Sequence, residues 1–166
     1  MSDDWSLEEY AAWKAARRST KPSNPKDVFG AKKVPMSCVS APVMCELALG
    51  MLEGSLKYGR HNYRAIGVRA SVYYDATMRH LMQWWEGEDI DKASGAELHH
   101  ITKAIASLVV LRDAMIRDNC TDDRPPRTEG AWVEELNRQV EKLQASHPNP
   151  VAPYTEVDQS WVEKPE

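Results

Sequence analysis

The chain has 166 residues, 42% of them hydrophobic and 28% charged, with a formal net charge of −4. That length suits one domain of ordinary size plus some tail, and the negative balance gives no electrostatic case for nucleic acid or an anionic membrane as partner. No run of about 18 apolar residues is present to span a bilayer. The start, Met1-Ser2-Asp3-Asp4, is acidic and lacks the apolar stretch of a secretory signal. Cys38, Cys45 and Cys120 form neither a Cys-x-x-Cys pair nor an even framework, so the expected compartment is a reducing cytoplasm.

Residues 5–18 read as a short helix carrying Trp5, Tyr10 and Trp13, with Ser6 placed to cap it ahead of Glu8 and Glu9. A Pro-, Ser- and Asn-containing stretch from Lys21 to Lys26 breaks that pattern. Asp27 to Pro42 then reads as irregular chain held between Gly30, Pro35 and Pro42, with Lys32 and Lys33 in its middle. A helix is expected from Val43 to Tyr58, apolar around most of its circumference and therefore mostly buried. Its narrow polar stripe is Glu46, Gly50, Glu53 and Lys57, at offsets of 4, 7 and 11 residues. Glycine costs about 1 kcal/mol against alanine inside a helix, so Gly50 is expected to admit a ligand to the backbone.

A loop around Gly59 to Gly67 precedes a second helix, Ser71 to Trp85, on which Asp75, Arg79 and Glu86 share a face. That helix runs into Glu86-Gly87-Glu88-Asp89-Ile90-Asp91, four carboxylates within six residues. At an effective dielectric of about 20, two carboxylates roughly 5 Å apart repel by about 3 kcal/mol. A helix C-terminus, the negative pole of the helix dipole, adds to the penalty. Either water or a hard cation such as Mg²⁺ or Mn²⁺ must relieve it. An EF-hand loop is excluded, because counting from Asp89 puts Ala93, Ser94 and His100 at positions 5, 6 and 12.

The third helix, Ala96 to Asp118, is the most apolar, through Ile101, Ala104, Ile105, Leu108, Val109, Leu111 and Met115. A Pro-Pro loop spans Thr121 to Arg127, and an amphipathic helix runs from Gly130 to Ser146 through Val133, Leu136, Val140 and Leu143. The last twenty residues contain four prolines and are expected to be extended or disordered. No strand-period run, internal repeat or heptad array stands out. The fold class is therefore all-α, an antiparallel helical bundle. Its expected divisions are an N-terminal helix and linker (1–23), a helical core (24–120), a loop and C-terminal helix (121–146) and a Pro-rich tail (147–166).

Each candidate group has a plain structural reading beside a functional one. Glu46 and Glu53 are a solvated stripe with Glu53 paired to Lys57, or they converge with Glu86-x-x-Asp89 on a metal pocket between neighbouring helices. Arg79 and His80 contact phosphate, or form an ion pair with Asp75 and a core histidine. His99 and His100, being adjacent, point to different helix faces and make poor joint ligands. Trp84 and Trp85 read as core or oligomer contacts, though one ring could stack on a base. Lys57, Arg60, Arg64 and Arg69 surround a Gly-containing loop with cations, suited to a triphosphate or simply solvated. There is no Walker-type phosphate loop and no nucleophile elbow. None of the five histidines is followed by Asp, which excludes an HD-type phosphohydrolase.

Taken together, several runs resemble one family. They are Asn24-Pro25-Lys26-Asp27, Gly30, Lys33, Gly54-x-x-Lys57-Tyr58-Gly59-x-x-Asn62-Tyr63-Arg64 and Gly67-Val68-Arg69-Ala70-Ser71. Tyr73-Tyr74-Asp75-Ala76, Arg79-His80, Trp84-Trp85-Glu86-Gly87-Glu88-Asp89-x-Asp91 and Ser94-Gly95 complete the set. Over about residues 24–118 the chain resembles the phage dATP/dGTP diphosphohydrolase family, MazZ-type proteins related to MazG-like nucleotide pyrophosphohydrolases.

The resemblance implies a MazG-like all-α bundle completed by homo-oligomerisation as a dimer or tetramer. It also implies hydrolysis of dGTP, and of dATP, to the monophosphate and pyrophosphate with Mg²⁺ or Mn²⁺, two or more ions per site. In a phage that replaces adenine with 2-aminoadenine, the dGMP would feed synthesis of the modified nucleotide in the host cytoplasm. Glu53 and Glu86 are then expected as catalytic carboxylates. Glu46, Glu53, Glu86 and Asp89 are expected as metal ligands, with Asp75 and Glu88 as additional ones. Lys57, Arg64, Arg69 and Arg79 are expected to contact phosphates, and Lys33 or Asn62 the base or sugar.

MazG-type enzymes carry Glu-x-x-Glu on one helix and Glu-x-x-Asp on the next. Glu86-x-x-Asp89 fits the second half, whereas Glu46 and Glu53 are seven apart. An alternative frame begins the third helix with Glu97-x-x-His100. The competing reading is a non-enzymatic helical interaction protein.

Overall fold

The structure is a computed structural model that describes residues 6–16, 24–155 and 157. It divides into two compact units, residues 1–122 and 123–166. In the first unit, α1 spans Leu7–Ala16 and begins with a reciprocal cap. Ser6 Oγ accepts from the Glu9 amide at 3.2 Å, and the Glu9 carboxylate accepts from the Ser6 amide at 2.9 Å. Tyr10 stacks on Trp13, while Trp5 and residues 17–18 of the predicted helix lie outside the described residues.

The stretch expected to be irregular contains a helix, α2, at Pro25–Gly30. Asn24 Oδ1 accepts from the Lys26 amide, Asp27 returns a bond to the Asn24 amide, and Pro25 occupies the first turn, where its missing N–H costs nothing. A single 3₁₀ turn, Met36–Cys38, leads into α3, Ala41–Tyr58. The predicted loop that follows holds one helical turn, α4, Asn62–Ala65. Then come α5, Ala70–Trp85, and α6, His100–Ile116.

Among the described residues, four two-residue strands, too short to show any sequence period, tie the helix ends together. β1 (Val68–Arg69) pairs in parallel with β4 (Cys120–Thr121), and β2 (Ile90–Asp91) pairs antiparallel with β3 (Leu98–His99). Since β1 enters α5 and β4 leaves α6, the start of α5 lies beside the end of α6. The hairpin closes the opposite end, so α5 and α6 run antiparallel. Gly67 makes the β1–β4 junction possible. Its φ is +86°, and a Cβ there would stand 2.7 Å from Asn119 Oδ1 and 2.9 Å from the Asn119 carbonyl.

α6 is the centre of the bundle, with α5 packed along it and α3 and α4 against it. Its start differs from the predicted Ala96. The hairpin takes up Leu98 and His99, and Glu97 has a φ of +49°, so helix begins only at His100, capped by His99 Nδ1. The Glu97-x-x-His100 frame is therefore not helical. Gly50 lets α3 pack closely on α6, where a Cβ would meet the Ala106 Cβ at 3.4 Å and the Thr102 Cγ2 at 3.6 Å, and it also lies on the lining of a cavity beside α6.

The expectation that α3 is mostly buried is also corrected. None of its residues is buried, and Leu52 and Leu56 are 44% and 79% exposed. Among the described residues only α6 packs broadly on α3, so these leave much of its apolar surface exposed. No helix among the described residues is long and apolar enough to cross a membrane. In the second unit, α7 spans Trp132–Ser146 with Glu134 and Glu135 in its first turn, where the helix dipole favours anions. Residues 147–155 carry no helix or strand.

Candidate active site

A cavity of about 540 Å³ opens between α3, α4, α5 and α6. α3 contributes Glu53 and, one turn on, Lys57. α4 contributes Asn62 and Tyr63, α5 contributes Tyr73, Arg79 and His80, and α6 contributes Lys103 and Ser107. The helical spacing explains the α6 set: His100, Lys103 and Ser107, at offsets of 3 and 7, form one polar line along the helix.

Four charges of alternating sign form a continuous chain here, three of which, Lys57, Glu53 and Lys103, line the cavity. Lys57 pairs with Glu53, Glu53 lies 3.2 Å from the Lys103 ammonium, and Lys103 lies 2.5 Å from Asp91 Oδ2. The side chains of Glu53, Lys103 and Asp91 are only 13%, 11% and 12% exposed, so each charge depends on its neighbours for the solvation it has lost. Burial pushes the Glu53 carboxyl up, but hydrogen bonds and charge from Lys57 and Lys103 outweigh it and hold the group below its ordinary value. Asp91 behaves alike. Burial raises it, while Lys103 and the Ala93 amide, at 3.0 Å from Oδ1, bring it below the usual carboxylate range. Both are anions at neutral pH. The Lys57 ammonium is raised by its bond to Glu53.

Beside this chain sit two histidines. His80 Nδ1 and His100 Nδ1 are 2.9 Å apart, and the His100 ring is completely buried. His100 Nε2 has no hydrogen-bond partner among the described residues, and the Glu88 carboxylate stands off at 3.8 Å. Leaving a buried polar nitrogen unsatisfied costs about 1–3 kcal/mol. Burial, then the neighbouring His100 and Lys103, lower the pKa of His80 and favour its neutral form. Among the described residues, His80, Asp91 and His100 form a group of three whose donor atoms lie within 4.8 Å of one another.

The expected site residues are distributed unevenly around this centre. Glu53, Lys57, Asn62 and Arg79 line the cavity. Glu46 is exposed on α3 and accepts from Thr102 Oγ1 at 2.9 Å. Asp75 is exposed on α5, and Glu86 is exposed at its C-cap. The Asp89 side chain is 70% exposed and 3.8 Å from His99, while its carbonyl accepts from the His100 amide. Glu88 faces the buried His100. Arg64 is engaged in a two-point pair with Asp113, at 2.6 and 2.8 Å. Arg69 is exposed on β1, and Lys33 is exposed in the turn after α2. Trp84 and Trp85 meet edge to face near the open end of α5.

None of the six expected metal ligands belongs to the His80–Asp91–His100 group. The sequence reading weighs His100 only beside His99 and in the Glu97-x-x-His100 frame, because a helix begun at Ala96 does not set it apart; a start at His100 places it in the polar line with Lys103 and Ser107.

No curated relative and no solved structure matches the chain. A family model described as dATP/dGTP diphosphohydrolase, N-terminal, matches residues 23–124, a span that includes α2 to α6 and the whole cavity. With more than half its length so matched, the chain belongs to the dATP/dGTP diphosphohydrolase N-terminal family, a family of hydrolases.

Proposed function

We propose that the chain hydrolyses purine deoxynucleoside triphosphates, dGTP and also dATP, to the monophosphate and pyrophosphate. The observation that carries this reading is the cavity. Its size falls within the range of small-molecule sites, roughly 300–1,000 Å³, and it lies inside the family-matched segment. It joins cationic groups, Lys57, Arg79 and Lys103, to the Glu53 carboxylate, the chemistry a triphosphate ester needs. In the reaction a water oxygen bonds to the α-phosphorus, the bridging P–O bond to the β-phosphate breaks, and pyrophosphate leaves in line.

Lys57 and Arg79 bind the phosphate oxygens and balance the charge that builds on the leaving group. Asn62 holds the base or sugar by hydrogen bonds. Glu53, ionised at neutral pH, orients the water and accepts its proton. Glu86 stands at the open end of α5, outside the cavity lining, and Glu86→Gln separates its role from that of Glu53: full activity in that variant removes Glu86 from the reaction.

A hydrolase of this kind calls for Mg²⁺ or Mn²⁺, which when bound neutralises the triphosphate and activates water. The carboxylates expected to hold it, Glu46, Glu53, Asp75, Glu86, Glu88 and Asp89, supply no three-donor group as they stand, so no step is assigned to the ion. Subunits associate through apolar surface that one chain leaves open, a reading supported by the exposed α3 residues Leu49, Leu52 and Leu56. A fully active monomer by light scattering would contradict it. In a phage using 2-aminoadenine, the dGMP product supplies the modified nucleotide's synthesis.

The decisive experiment incubates a panel of dNTPs and NTPs with the protein and Mg²⁺ or Mn²⁺ and identifies products by chromatography. dGMP with pyrophosphate supports the proposal. Deoxynucleoside with triphosphate, or no turnover of any nucleotide, overturns it; the latter leaves a helical interaction protein.

A further inference from the structure

We propose that His80, Asp91 and His100 bind one divalent transition-metal ion that accepts imidazole nitrogen, of the Mn²⁺, Co²⁺ or Zn²⁺ class, beside the cavity that His80 lines. The three side chains come from the middle of α5, from β2 and from the first residue of α6, and their donor atoms lie within 4.8 Å of one another. The pairing of β2 with β3 brings Asp91 to the start of α6, where His100 is completely buried.

Among the described residues, hydrogen bonding does not satisfy this group. A neutral imidazole carries one N–H and one lone pair. At 2.9 Å, the two Nδ1 atoms share one proton between them. If His100 provides it, His100 Nε2 is a buried lone pair with no donor; if His80 provides it, His100 Nε2–H is buried with no acceptor.

A cation held by both Nδ1 lone pairs would take the place of the shared proton and use one lone pair on each ring. Two nitrogens each about 2.1 Å from one ion and at right angles are about 3.0 Å apart, close to the 2.9 Å observed. Both rings then carry their proton on Nε2. The Glu88 carboxylate, 3.8 Å from His100 Nε2, would have to move closer to accept that proton, the role a carboxylate usually takes behind metal-bound imidazole.

Asp91 is the anionic ligand. Its Oδ1 accepts from the Ala93 amide and its Oδ2 from Lys103, which leaves lone pairs on both oxygens. Lys103 is also 3.2 Å from Glu53, so its ammonium keeps an anion when Asp91 turns to the ion. Two imidazoles and one carboxylate suit a borderline transition metal, whereas Mg²⁺ prefers an all-oxygen shell. The group also differs from the carboxylate set expected for the nucleotide's cation, and it stands without the hydrolytic reading because binding is measured with no nucleotide present.

The test titrates chelator-stripped full-length protein with Co²⁺ and follows its visible absorption. The expected result is saturable binding of one equivalent that excess Mg²⁺ does not reverse, weakened about tenfold or more in His80→Gln and Asp91→Asn at unchanged helical circular dichroism. His100, being fully buried, is not the deciding variant. In the wild type, Zn²⁺ should shift the ring ¹⁵N resonances of two histidines, which needs no substitution.

Wild-type affinity in both folded variants, no saturable signal, or displacement by equimolar Mg²⁺ overturns the proposal. Hydrolysis of dGTP by protein that binds no Co²⁺ sinks this site and leaves the proposed function. Co²⁺ binding without nucleotide turnover does the reverse.

Discussion

Replacing Lys103 by methionine removes the ammonium that joins Asp91 to Glu53 while keeping most of the apolar stem. Breaking one partner out of a buried ion pair typically costs about 3–5 kcal/mol, because a charge is left in a poorly solvated place. Here Glu53 keeps Lys57 and Asp91 keeps the Ala93 amide, so the lower end, about 3 kcal/mol, is the expected loss. For a domain of roughly 100 residues that lowers Tm by about 10 °C or more.

The pH dependence follows from the direction of the pKa shifts. Wild-type Asp91 and Glu53 titrate below their ordinary values of 3.8 and 4.5, so their stabilising contribution is present at neutral pH. It is lost as pH falls through the depressed folded values. Without Lys103, burial dominates Asp91 and raises it, so acid relieves the variant by neutralising that carboxylate. Thermal unfolding followed by helical circular dichroism should therefore show the largest Tm deficit at neutral pH and a smaller one near pH 4. A neutral-pH Tm equal to the wild type, or a deficit that does not shrink in acid, would refute the reasoning.

Gly50→Ala should be neutral or stabilising by up to about 1 kcal/mol, since its Cβ makes ordinary contacts and alanine favours helix. Gly50→Leu should cost about 1–3 kcal/mol by pushing α3 off α6; denaturant melts compare the two. Gly67→Ala should lose about 2 kcal/mol or more, from its left-handed backbone and the clash with the Asn119 carbonyl, read as a lower urea midpoint. Glu53→Gln should reduce pyrophosphate release by about a hundredfold or more with helical content intact, and near-normal turnover would remove Glu53 from the chemistry. EDTA should stop pyrophosphate release and added Mn²⁺ or Mg²⁺ should restore it; turnover that survives exhaustive chelation would contradict cation dependence.

The helices were legible because their determinants are local. The apolar period of α3, α5 and α6 and the Ser6–Glu9 cap of α1 can be read within one or two turns of chain. α2 carried the same kind of signal in Asn24-Pro25-Lys26-Asp27, overlooked because neighbouring prolines and glycine made the stretch read as irregular. Family membership was legible too, since motifs spread over residues 24–118 coincide with the matched span 23–124. Of the expected site, Glu53, Lys57, Asn62 and Arg79 line the cavity, three of them on α3 or α5, whose positions the helical period orders.

What the amino-acid order by itself determined, then, was an all-α chain of this family with a polar line along α3. Tertiary structure alone decided how much of α3 is covered, because periodicity shows which side is apolar but not how many neighbours reach it. It alone also brought His80, Asp91 and His100 together. They lie on two helices and a two-residue strand, and their meeting depends on a hairpin register and on α6 beginning at His100, neither of which a local pattern encodes.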